Sequence, residues 1–135
     1  MRLSMGSAKE NNLEELQTII NDVESNGGKL TLLKDSNKMV CNVKKGIPGE
    51  IEVDENASIA AIMHEYRHFK DDMENGCPGL MHYLTNKDAF FEYEKRGYEE
   101  ELKYARILND TYAEKKILNE IEKRRREIYG ENRNY

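Results

Sequence analysis

The stretch Ser58–Asp72, SIAAIMHEYRHFKDD, carries His64 and His68 four residues apart, with Glu65 directly after the first. Its opening half is small and apolar, and its second half is charged. Neither glycine nor proline interrupts it before ENGCPG (Glu74–Gly79), so the pattern predicts a helix from Ala57 to about Met73. Residues four apart on a helix project from one face, so both imidazoles can offer a ring nitrogen to the same point. Glu65 is turned by about 100° from His64, which lets it flank that point without occupying it.

Outward from this helix the periodicity changes. Upstream, EIEVDE (Glu50–Glu55) alternates, with Ile51 and Val53 on one face, and KKGIPG before it reads as a loop. KLTLLKD (Lys29–Asp35) and KMVCNVKKG (Lys38–Gly46) alternate too, and the DSN between them predicts a hairpin. Further back, Leu13, Leu16, Ile19, Ile20 and Val23 fall at helical spacing and end at Gly27-Gly28, an amphipathic helix with a glycine stop. Residues 1–10 are polar and are expected to be disordered. Downstream, long helices are expected over Asn86–Leu108 and Asp110–Tyr129, broken at Asn109-Asp110. The last of these, within a charged segment 109–135, aligns Tyr112, Ile117, Leu118, Ile121 and Ile128 as an apolar stripe. The order describes one α+β domain over 1–135: an N-terminal helix, a short antiparallel sheet, the histidine helix and two long C-terminal helices.

Composition bounds the partners. A chain of 135 residues supports one modest core, and with 35% charged against 38% hydrophobic residues, that core has to be small. A net charge of −5 argues against nucleic acid as the partner. The basic residues that cluster near the end of the last helix, in EKKILNEIEKRRREIYG (Glu114–Gly130), suit the negative end of a helix dipole. No apolar run is long enough for a signal peptide or a membrane span, so a cytoplasmic location is expected. The short polar opening also suits a segment delivered as part of a larger protein. Cys41 and Cys77 form no CxxC pattern and are expected as free thiols.

The chemistry that fits two histidines at this spacing is zinc. Catalytic zinc takes three protein ligands and leaves a position for water, whose acidity it raises, and Glu65 is placed to accept a proton from that water. The chain holds only three histidines, so two at ligand spacing is a concentrated use. The third ligand is sought among the acids of NKDAFFEYEKRGYEEE (Asn86–Glu101). Glu92 is favoured for its longer arm and Asp88 comes next, the other of the two holding a histidine from behind; they lie 24 (92 − 68) and 20 (88 − 68) residues beyond His68. His82 and Glu94 are the remaining candidates, and Glu99, Glu100 and Glu101 read as a solvated face. His82 can also sit at the cleft rim. Tyr66, Tyr83, Tyr93 and Tyr98 are candidate donors to an oxyanion, and Cys77 fills a turn. The edge of EIEVDE is where an extended substrate would pair.

HEYRH on a helix, followed by a carboxylate-bearing helix, resembles the zincin metallopeptidases, and the carboxylate makes it similar to the gluzincins. DAFFE (Asp88–Glu92) resembles the thermolysin-type pattern of two acids four apart, with the acids in the opposite order. Over residues 29 to 108 the size looks like the minimal zincins of bacterial toxins, phage head-associated proteins and mobile elements. The resemblance implies a zinc metallopeptidase acting on a peptide or protein, with His64 and His68 as ligands and Glu65 as general base. Two departures stand out: Arg67 places a charge inside the motif, and the glycine and third histidine of the metzincins are absent. Two other classes fit the same residues. One is an inactive zincin-like binding or assembly module, for instance in a phage particle. The other is a helical interaction protein working through its last two helices.

Overall fold

The computed structural model describes residues 6–40, 42 and 44–130, and its architecture is α+β. In chain order it runs α1 (Ala8–Asn11), α2 (Leu13–Ser25), β1 (Lys29–Leu33), β2 (Lys38–Val40), β3 (Glu50–Asp54), α3 (Ile59–Glu74), α4 (Leu80–Leu84), α5 (Lys87–Ile107) and α6 (Thr111–Tyr129). No helix among the described residues is long and apolar enough to cross a membrane.

The expected hairpin does not form. The sheet order is β1-β3-β2, with β1 parallel and β2 antiparallel to β3, so the sheet is mixed and EIEVDE is its central strand instead of an edge. Alternation tells each strand which face to bury but not which neighbour to take. Two contributions favour β3 in the middle. Its Ile51 and Val53 are wholly buried. The DSN turn also bonds to β3 instead of closing on itself: Asp35 N–H donates to Asp54 Oδ2 at 2.8 Å, Asp54 N–H to Asn37 Oδ1 at 3.1 Å, and Ser36 Oγ to Glu52 Oε1 at 3.2 Å.

Beneath the sheet, Val23 of α2 and Ile59, Ile62 and Phe69 of α3 complete the main core. Ser58 caps α3, its hydroxyl accepting from Ala61 N–H, and a turn through Gly76, Cys77 and Pro78 follows the helix. Asn86 and Asp110 cap α5 and α6 in the same way, through Ala89 N–H and Ala113 N–H. A second core of Ala60, Leu102, Ala105, Ala113 and Ile117 ties α6 to α5. Of the stripe read on α6, Ile117 is buried, Ile121 and Ile128 half-buried, and Tyr112 and Leu118 exposed.

Part of the opening segment is ordered. Residues 1–5 lie outside the described residues, but Ala8 is buried in α1 and its N–H donates to Ala57 O at 2.8 Å. Cys77 is a buried free thiol, while Cys41 also lies outside the described residues.

Candidate metal centre

The site lies where α3 crosses α5, and a glycine sets how close the helices come. A Cβ on Gly97 would meet His64 Nε2 at 2.7 Å and His68 Cε1 at 2.8 Å, closer than carbon contacts allow. The backbone of α5 therefore rests directly on the two imidazole rings. Helix phase then decides which acids reach them. At about 100° per residue, Glu94 lies some 60° and Glu101 some 40° from Gly97, whereas Glu92 is turned by about 140° and Asp88 by about 180°.

The side chains follow that phase. Ring nitrogens of His64 and His68 and a carboxylate oxygen of Glu94 all lie within 4.8 Å of one another. Glu101 Oε2 accepts from His64 Nδ1 at 2.6 Å, which leaves Nε2 as the free nitrogen, 3.9 Å from Glu65 Oε2. His68 stacks on Tyr93 with ring centroids 3.9 Å apart, and its Nδ1 is buried with no hydrogen-bond partner among the described residues. The Tyr98 ring meets His64 edge-on at 4.7 Å.

Neither favoured third ligand reaches the histidines. Glu92 is exposed and borders a separate recess with Asp71, His82 and Arg96. Asp88 is exposed and accepts from the Tyr129 hydroxyl. His82 packs against Tyr83 with centroids 5.0 Å apart. Among the tyrosines, Tyr66 donates to Asp22 and Tyr83 to Asp72, so only Tyr93 and Tyr98 border the centre.

Glu100 and Glu101, read from sequence as solvated, are 4% and 2% exposed, and both clamp α5 to α3. Arg67 Nε donates to Glu100 Oε1 at 2.8 Å, which gives the unexpected charge inside the motif a buried partner. One turn on, Arg96 holds Asp71 with bonds of 2.7 and 3.0 Å. The signal that marks Glu94 and Glu101 was present in sequence: with Gly97 between them they share one helix face.

The electrostatics act differently on each group. Burial, then the charge of His64, holds His68 well below the usual imidazole range, which keeps its ring neutral. Burial also opposes charge on His64, but the bond to Glu101 and the nearby Glu65 outweigh it and raise its pKa. Burial pushes the Glu65 carboxyl up to about 7, against the charge of His64 and a hydrogen bond from the Met39 backbone N–H. Glu94 is likewise raised by burial and pulled back by Arg124. The converging atoms, the unpartnered His68 nitrogen and the rigid glycine floor fit a divalent cation of the zinc type. They line a cavity of about 680 Å³ whose other lining residues include Met39 of β2, Tyr98 of α5 and Arg124 of α6.

No protein-family model, curated protein or solved structure matches the chain.

Proposed function

We propose that the protein is a zinc-dependent peptidase, with His64, His68 and Glu94 as ligands and Glu65 as general base. The observation that carries this reading is the convergence of the three ligand atoms within 4.8 Å, beside Glu65, in the lining of a cavity. A bound zinc ion would supply Lewis-acid polarisation of a peptide carbonyl and of a water molecule. The chain's own residues do the rest. Glu101 fixes the His64 tautomer from behind. Glu65 lies beside the histidines with its carboxylate 3.9 Å from His64 Nε2, within reach of a water held there, so it can take that water's proton and return it to the leaving amine. β2 borders the cavity through Lys38 and Met39 and is an outer strand of the sheet, which suits an extended peptide running beside it. Such an enzyme needs neither a membrane nor nucleic acid, in keeping with the acidic charge.

Metal content by mass spectrometry on wild type and on Glu65→Gln, His64→Ala, Glu94→Ala and Glu92→Ala tests the reading, followed by cleavage of a peptide library. Wild type, Glu65→Gln and Glu92→Ala should carry about one zinc per chain, and the other two little. Wild type should cleave and Glu65→Gln should not. A wild type that takes up no zinc under metal-replete conditions ends the reading in favour of a helical interaction protein. Zinc without cleavage of any peptide favours an assembly module.

A further inference from the structure

One wall of the cavity carries a group that metal binding and proton transfer do not use. Arg124 reaches in from α6, and its Nε lies 3.7 Å from Glu94 Oε2. That distance gives charge attraction without a hydrogen bond, and the Nε–H is buried with no acceptor among the described residues. The Tyr98 hydroxyl is a polar neighbour of the guanidinium. On the solvent side, Nη1 stands 3.4 Å from Glu127 Oε2, with the two side chains 40% and 47% exposed. An ion pair that open to water contributes little, so an incoming anion displaces it at small cost.

Without metal, Glu94 is the near counter-charge of Arg124. Once Glu94 is committed to a cation, Arg124 keeps a buried donor and a weakly compensated charge facing the cavity. Among the described residues that line the cavity, the other lysine or arginine is Lys38 of β2, whose side chain is 60% exposed. Asp35 and Asp54 are acidic and stand on the β-strand side, and Lys38 on that side is paired with Glu52 at 3.4 Å. A guanidinium presents planar, paired donors that match a carboxylate.

We propose that Arg124 anchors a carboxylate carried by the ligand, so that the site takes peptides with a carboxylate close to the bond to be cut. This rests on the peptidase reading and narrows its substrate class. The carboxylate has two sources, the C-terminus of a peptide or an acidic side chain within it.

The test is an NMR titration of the zinc-loaded Glu65→Gln protein with acetyl-trialanine as the free acid, the same peptide as its amide, and acetyl-Ala-Glu-Ala amide. At least one carboxylate-bearing probe should bind about tenfold or more tightly than the all-amide probe. Preference for the free acid identifies the C-terminus as the source, and preference for the glutamyl amide identifies the side chain. Arg124→Ala, introduced into the same protein, should erase the advantage at unchanged zinc content, and Arg124→Lys should keep part of it. Three equal affinities, including no detectable binding of any probe, overturn the proposal. So does an advantage that survives Arg124→Ala, since it then comes from the metal alone. Failure of the parent protein to take up zinc is seen before any probe is added and ends the peptidase reading itself.

Discussion

Gly97 shows how one absent side chain shapes the site. Replacing it with alanine improves intrinsic helix propensity by about 1 kcal/mol. The new methyl, however, falls 2.7–2.8 Å from two buried rings that are held from behind by Glu101 and Tyr93. Overpacking of that kind costs about 1–3 kcal/mol, so the steric term wins. Gly97→Ala should lower the melting temperature and weaken zinc binding by about tenfold or more, both read in one calorimetric series. Unchanged zinc affinity would show that the helices can separate without disturbing the ligands. At this scale the sequence was half legible. The HEYRH spacing marked His64, Glu65 and His68 because i, i+4 geometry is local. Choosing Glu94 over Glu92 required the phase of α5, which is set by contact with α3 and not by arm length.

Between elements, the α3–α5 crossing is held by charge pairs whose acids are buried, His64–Glu101, Arg67–Glu100 and Asp71–Arg96, the last with its guanidinium 42% exposed. Buried pairs are costly to break singly yet often neutral to replace together. Arg67→Met should therefore destabilise the protein by about 2 kcal/mol, short of the full penalty because Lys103 still reaches Glu100 at 3.2 Å. Adding Glu100→Leu should recover most of that loss, as measured by urea denaturation. If the double variant is no more stable than Arg67→Met, the pair contributes net stability instead of setting helix register. The four longer helices were readable to within about two residues, because caps and breaks are written locally (Ser58, Asn86, Asn109-Asp110), whereas the short α1 and α4 were read as a disordered start and a connection. The strand order was not readable, since β1 and β3 pair across the intervening β2 and only the finished sheet decides the neighbour.

For the whole molecule, the centre concentrates groups whose ionisation opposes folding in the absence of metal. Glu65 titrates at about 7 when folded against 4.5 when unfolded, so folding takes up a proton between those values. Its contribution is fully favourable below pH 4.5 and is lost as pH rises through 7. His68, depressed by burial, acts in the opposite sense, so the clean measurement is a difference. Metal-free wild type should lose stability relative to metal-free Glu65→Gln between about pH 4.5 and 7, by on the order of 3 kcal/mol. Parallel denaturation curves for the two proteins across that range would show that Glu65 is solvated in the unliganded protein. The fold class was visible from sequence because each segment's period was unambiguous, whereas the candidate metal centre draws on α3 and α5 and becomes visible only when the two are packed together.

The glycine floor of the crossing has a use outside this chain. Counted from His68, the acid that meets the histidines, the residue without a side chain and the acid behind His64 stand at +26, +29 and +33 (94 − 68, 97 − 68, 101 − 68). Joined to H-E-x-x-H, these offsets make a search string, E-x2-G-x3-E after a gap of fixed length. Its power lies in the glycine, because paired acids on charged helices are common, while a side-chain-free position between them at that phase is not. A chain that carries the string is a candidate for the same centre even where the rest of its residues bear no likeness to these.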